Sequence, residues 1–289
     1  MNRSGPVHDS LHLFVANQAL PILETAFAKI NLALHVRRRR EDGYHELETL
    51  FAFVDNGDVL TAHNAERDSL ETVGEFAANI DNPFGNFVMR ALAALPRERG
   101  IAITLEKNLP VAAGLGGGSA DAGALFRIVE ALHGLPDDWE ARAARLGADV
   151  PACVRSEMAI GRGTGIDLEP VENDLSGTPV LLVNPRIGVP TGPVFKAWDG
   201  TDRGGLPDGT ARQIALTGRN DLRDAAISIC PQIAEVLSAL SETGCWMHEM
   251  SGSGATCFAL YDSTEQRDKV AEMLRVQEPD WWQMVGLLR

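Results

Sequence analysis

The sequence predicts an α+β protein of two domains, an N-terminal nucleotide-binding α/β domain followed by a ferredoxin-like, split βαβ domain. Three observations carry that prediction. A glycine-rich segment runs straight into an amphipathic helix between residues 110 and 134. A strictly alternating strand is closed by a hairpin turn between residues 27 and 54. After residue 178 the order is strand, helices, strand, strand, helix, strand.

In chain order, residues 1–24 read as an extension. From Phe27 to Val36 the residues alternate, with Ala28, Ile30, Leu32, Leu34 and Val36 on one face and Phe27, Lys29, Asn31, Ala33 and His35 on the other, the pattern of a half-buried strand. The Asp42-Gly43 turn and a second strand over Glu46–Val54 complete a hairpin. Shorter strands fit Val59–His63 and Ile101–Glu106, with a helix over Asn86–Leu95 between them. Asp137 and Glu140 form a capping box for a helix that ends at Gly147. Residues 160–178, rich in Gly, Asp, Pro and Ser, read as the boundary between domains spanning 25–168 and 178–289. The second domain opens with a strand at Val180–Asn184. Helices follow near 209–217, 220–229 and 231–242, then strands near 246–250 and 256–261, a helix near 264–275 and a strand near 282–287.

The chain has 289 residues, of which 45% are hydrophobic, enough for a substantial core. With 26 Lys and Arg against 40 Asp and Glu, the net charge is −14. So acidic a chain argues against a nucleic-acid partner and against adhesion to anionic membranes. The run Arg37 to Arg40 points the other way, but it stands just before Glu41-Asp42-Gly43 and reads as a solvated loop tip. Cys153, Cys230, Cys245 and Cys257 show no metal-ligand spacing and read as free, mostly buried thiols of a reducing compartment, the cytoplasm. No apolar run reaches membrane-spanning length.

The chemistry concentrates in four places. Gly114, Gly116, Gly117 and Gly118 crowd into five positions ahead of Ser119, and an apolar face at Ala122, Leu125, Phe126, Val129 and Leu132 leads to Gly134. Glycines free to take positive φ turn backbone N–H groups into one hollow, and Ser119 is expected to cap a helix whose positive end faces the same hollow. That is a polyphosphate cradle, but not the common P-loop, since no Gly-Lys-Ser or Gly-Lys-Thr follows the glycines. On the first strand Lys29 and Asn31 share a face with Phe27 and Ala33, neighbours that suit a cleft wall better than a solvated one. Asp149 follows a helix end and precedes Pro151, a constrained position from which a carboxylate can accept a proton from a hydroxyl. By itself it reads as a loop aspartate. Ser251-Gly252-Ser253-Gly254 is a second glycine-rich turn, able to bring N–H groups close to a charged ligand.

Together these pieces resemble the GHMP kinase superfamily of galacto-, homoserine, mevalonate and phosphomevalonate kinases, which carries Pro-x-x-x-Gly-Leu-Gly before a Ser-rich helix start. Five segments match in family order: Ala28 to Leu32, Asp42-Gly43-Tyr44-His45, Gly114 to Ser119, Leu146 to Pro151, and Ser251 to Ala255. They cover the chain from about residue 25 to its end. The nearest branch phosphorylates the 2-hydroxyl of a cytidine diphosphate-linked methylerythritol on the non-mevalonate isoprenoid route. The resemblance implies ATP on Pro110, Val111, Ala112, Ala113, Gly114, Leu115, Gly116, Gly117, Gly118, Ser119 and Ala120, with Lys107 beside them. It implies Asp149 as general base with Lys29 orienting it, and Mg2+ accompanying ATP, with Ser119 as its contact. Tyr44, His45 and Phe195 resemble a cytosine site. On residues alone the first two read as strand-edge packing after a turn. Asn31, Gly252 and Ser253 resemble further substrate contacts.

There are departures from the family pattern. About two dozen residues precede Lys29, where the family's lysine lies closer to the start, and Ala120 and Asp121 vary the residues after Ser119. The adenine pocket, expected within residues 60–95, has only Asn82, Gly85 and Asn86 as candidates. The partner expected is a small molecule, with neither nucleic acid nor membrane, bound by a monomer or weak homodimer. Mevalonate or homoserine kinase activity is the nearest alternative, against which Asp42-Gly43-Tyr44-His45 discriminates. A catalytically dead relative is disfavoured by the retained Lys29, Asp149 and cradle, and an RNA-binding module by the charge.

Overall fold

A computed structural model describes residues 20–79 and 86–289. Most of the expected extension, together with Asn82 and Gly85, lies outside the described residues. The first sheet is organised by two long antiparallel strands, β1 (Ile22–Arg39) and β2 (His45–Ala65), joined at Arg40–Tyr44, where Gly43 takes φ 87°. Strand β2 is the hub. Its second half pairs with β4 (Gly100–Glu106) and its first half with β5 (Ala159–Gly163). β3 (Ser69–Val73) runs parallel to β4, and β6 (Asp167–Pro170) closes the other edge.

The stretches expected as separate strands at 46–54 and 59–63 are thus one strand. A Cβ on Gly57 would lie 2.0 Å from Ala26 O, so only glycine lets β1 and β2 press together there and the strand run on. β1 is not half-buried either: Ala28 to Val36 are buried on both faces. Register shifts at Phe27/Lys29, Asn31/Ala33 and Val36/Arg38 break the alternation. Ala28, Ile30, Leu32 and Ala33 pack into the core between the sheets, while Leu34 and Val36 pack into the second domain's core. Most of β5 and all of β6 lie within 160–178, the segment expected to be boundary loop.

Four helices complete this part: α1 (Phe87–Ala94), α2 (Gly117–His133), α3 (Trp139–Leu146) and α4 (Val150–Arg155). α1 begins on an Asn86 side-chain cap. The expected Asp137/Glu140 capping box does not form; Asp138 stands at the N-cap and makes no side-chain bond there. The second sheet has order β10 (Trp282–Leu287), β7 (Pro179–Asn184), β9 (Cys257–Leu260), β8 (Met247–Met250), antiparallel throughout. That is the split βαβ arrangement expected. Its connections hold α5 (Thr191–Ala197), α6 (Ala211–Thr217), α7 (Arg223–Ile229), α8 (Gln232–Ser241) and α9 (Thr264–Gln277). The two sheets meet across a shared core. Val180 and Leu182 face the first sheet's Ile30 and Leu50, whereas Leu181 and Val183 face the second domain's own helices. All four cysteines are free and three are buried. No helix among the described residues is long and apolar enough to cross a membrane.

Candidate active site

The cradle forms where the two domains meet, but its geometry differs from expectation. α2 starts three residues early. Its N-cap is Gly116 at φ 61°, and Ala120 N–H is the first to find an i−4 carbonyl, that of Gly116 at 2.8 Å. The N–H groups of Gly117, Gly118 and Ser119 therefore have no partner within the helix. Ser119 does not cap the helix, because the glycines themselves enter it. Positive φ falls on Ala112 (53°), Gly114 (77°) and Gly116, not on Gly117. Two residues of the expected ATP segment serve the fold instead. Leu115 is buried in the core while its carbonyl accepts the Lys29 N–H at 3.2 Å, and Ala120 is buried with its N–H spent inside the helix.

The second glycine-rich turn buttresses the first. Thr256 N–H donates to Ala113 O at 3.1 Å and Ser251 Oγ–H to Gly114 O at 2.8 Å. A Cβ on Gly114 would sit 2.3 Å from Ser251 O, so the two loops close on each other only through glycine. Ser251 Oγ also accepts from Asn31 N–H at 3.2 Å, tying the cradle to β1. Ser251 is thus the bracing residue of the turn, whereas the substrate contacts expected there are Gly252 and Ser253. Of these, Ser253 Oγ bonds Thr191 Oγ1 at 3.1 Å.

Opposite the helix start, Lys29 Nζ lies 3.2 Å from Asp149 Oδ2, donates to Asn31 Oδ1 at 2.9 Å and stands 5.0 Å from the Phe51 ring centroid. Asn31 Nδ2 donates in turn to Thr49 Oγ1 at 2.7 Å, which fixes the amide's orientation. The Lys29 side chain is 5% exposed and that of Asp149 34%, so the ammonium is fixed and the carboxylate reachable. Asp149 occupies the N-cap of α4 without capping it, leaving its oxygens for the cavity. α4 is held in turn by Arg127 of α2, whose guanidinium bonds Cys153 O at 2.7 Å, Val154 O at 3.1 Å and Thr25 O at 2.7 Å. A Cβ on Gly116 would meet Lys29 Cε at 2.9 Å, so helix start and lysine are in contact.

Lys107 lies beneath the cradle with its ammonium committed to Asp58 and to Asp121 Oδ2, the latter at 2.8 Å. Asp58 also accepts the N–H groups of Asn108 and Leu109, whereas Asp121 Oδ1 has no partner among the described residues. Burial accordingly pushes the Asp121 carboxyl well above its ordinary range, against the pull of Lys107. Lys107 reaches the cavity floor as the centre of this buried cluster.

One cavity of about 1100 Å³ connects all this to an aromatic end. There Tyr44 (63% exposed), His45 and Phe195 line the wall, with His45 and Phe195 ring centroids 5.0 Å apart. Trp198, which no local motif marks, meets His45 edge-on at 5.8 Å. Burial, then the Arg39 charge, lowers the His45 pKa and favours the neutral imidazole. Asn86 and Phe87 line the opposite end near the helix start. Among the described residues no three His, Cys, Asp or Glu side chains gather as a metal cluster.

Two family profiles match this chain, GHMP kinases N terminal domain over residues 86–157 and GHMP kinases C terminal over 207–278. The chain is a GHMP kinase, a small-molecule kinase that uses ATP. It is 71% identical over 272 residues to 4-diphosphocytidyl-2-C-methyl-D-erythritol kinase of Erythrobacter litoralis (strain HTCC2594), covering 93% of this chain and 100% of the relative. It is 66% identical to the kinase of the same name from Novosphingobium aromaticivorans, covering 94% of each. A crystal structure of 4-(cytidine 5'-diphospho)-2C-methyl-D-erythritol kinase superposes with a TM-score of 0.79 at 33% identity, over 92% of this chain and 99% of that one. At 14% identity the mevalonate kinase of L. major shares the fold, with a TM-score of 0.61 over 94% and 98%. The chain belongs to the 4-diphosphocytidyl-2-C-methyl-D-erythritol kinase family.

Proposed function

We propose that this chain transfers the γ-phosphoryl group of ATP to the 2-hydroxyl of 4-diphosphocytidyl-2-C-methyl-D-erythritol, a step of the non-mevalonate isoprenoid route. The supporting observation is the single cavity lined at once by the helix start, the Lys29–Asp149 pair and the His45–Phe195 aromatic pair. The Gly117, Gly118 and Ser119 N–H groups, left unpaired within α2 at its start, would hold the nucleotide's phosphates. Asp149 takes the proton of the acceptor hydroxyl as it attacks, and Lys29 holds the carboxylate oriented and turned to the cavity. Tyr44, His45 and Phe195 receive the cytosine, and Asn31, Gly252 and Ser253 line the path between the base and the reacting hydroxyl. Magnesium binds chiefly through phosphate oxygens and water, so a single hydroxyl such as Ser119 Oγ fits it. When bound it would neutralise phosphate charge.

ADP release with a panel of acceptors tests the assignment: the cytidylylated methylerythritol, its uncytidylylated phosphate, mevalonate and homoserine. Turnover confined to the first is expected. Comparable turnover of mevalonate or homoserine would overturn it.

A further inference from the structure

The four arginines expected to form a solvated loop tip divide by parity. Even-numbered Arg38 and Arg40 pair with Glu46 and Asp42 on their own hairpin. Odd-numbered His35, Arg37 and Arg39 reach the second domain, Arg37 while also pairing with Glu48 of its own hairpin. His35 Nδ1–H donates to Gly204 O at 3.1 Å, Arg37 Nε–H to Asp202 at 2.9 Å, and Arg39 Nη2–H to Lys196 O at 3.1 Å and to Trp198 O. One strand face is thus laced, in descending order, to the segment 196–204 of the other domain.

Arg39 is the member of this series that reaches the cavity. Among the described residues it has no carboxylate partner. Its guanidinium instead covers the last carbonyls of α5, a favourable place for a cation, and lies 5.8 Å from the Trp198 ring centroid. α5 carries Phe195, and Trp198 follows at its C-cap; both rings rest on His45 of the hairpin. Arg39 therefore joins the two chain segments whose rings form the aromatic end of the cavity.

We propose that Arg39 is a positioning residue for the acceptor, fastening Phe195 and Trp198 against His45 so that the aromatic end is set before the acceptor arrives. A preorganised site binds more tightly because less ordering remains to be done on binding. The inference rests on the reading that this end receives the cytosine, so its test carries an arm for that reading alone.

Steady-state kinetics of Arg39→Met, Arg39→Lys, Arg38→Met and His45→Ala, each substrate varied in turn, decide it. Arg39→Met is expected to raise the acceptor KM by about tenfold, part of a base–aromatic stacking contact, while kcat and the ATP KM stay within about twofold. Arg39→Lys recovers part of the loss, since an ammonium still donates to the carbonyls but does not cover Trp198 as a planar group does. Arg38→Met leaves both KM values unchanged. An unchanged acceptor KM in Arg39→Met, with His45→Ala raising it, overturns the role of Arg39 and spares the cytosine site. Silence in both variants overturns the cytosine site as well. A parallel fall of kcat, both affinities and Tm in Arg39→Met shows a merely structural arginine and also overturns the proposal.

Discussion

His35 shows how one residue's chemistry is set by what touches it. Its Nε2 accepts the Arg219 N–H at 3.2 Å, so the ring proton resides on Nδ1, which donates to Gly204 O. A second proton on Nε2 would oppose that N–H, and burial followed by the Arg219 charge lowers the pKa below the ordinary value of 6.5. The folded state thus refuses a proton that the unfolded chain accepts below about pH 6.5, so stability falls as pH drops through that range and is restored above it. Thermal melts from pH 5 to 7.5 should show this slope in the wild type and a shallower one in His35→Gln; equal slopes would contradict it. Gly116 is constrained differently. Alanine there would hold a left-handed conformation at about 1–2 kcal/mol and press on Lys29 Cε, 2.9 Å away. Gly116→Ala should remain folded by circular dichroism yet lose on the order of a hundredfold in kcat, because Lys29 is displaced from Asp149.

Among elements, the contact of α2 with α4 sets the distance between cradle and base. A Cβ on Gly123 would lie 2.4 Å from Cys153 O, so α4, and Asp149 at its start, comes this close only because residue 123 is glycine. Gly123→Ala should lower Tm and reduce kcat more than it alters ATP affinity, and a variant with wild-type kcat would show that the approach does not matter. α4, like α5, was a helix the sequence did not reveal. Six residues bearing a proline give no periodic pattern, and α4 is held by Arg127 rather than by its own propensity. The elements whose pattern is local were legible. α9 and β10 fall within about two residues of expectation, and the glycine-to-helix transition at 114–119 was plain. What failed depended on partners distant in the chain. Burial of both faces of β1 requires the second sheet, the continuity of β2 requires Ala26 against Gly57, and Ser119 lost its capping role to the glycines before it.

At the scale of the whole molecule, neither domain owns the site. The first supplies the helix start, Lys29, Asp149 and His45; the second supplies Phe195, Trp198 and the Ser251–Thr256 turn that braces the cradle. The candidate residues were legible because they lie in short local motifs. Their division between two sheets was not, since interlocked loops such as Gly114 and Ser251, 137 positions apart, leave no mark in either segment alone. The role proposed for this junction is to bring an acceptor hydroxyl to Asp149. Single-turnover phosphoryl transfer by Asp149→Asn, with ATP and the cytidylylated acceptor both saturating, tests it most directly. The amide keeps the shape but does not take the proton, so the rate should fall by roughly a hundred- to ten-thousand-fold while acceptor Kd and Tm stay near wild type. A rate within a few-fold of wild type, in a folded protein that binds both substrates, would contradict it.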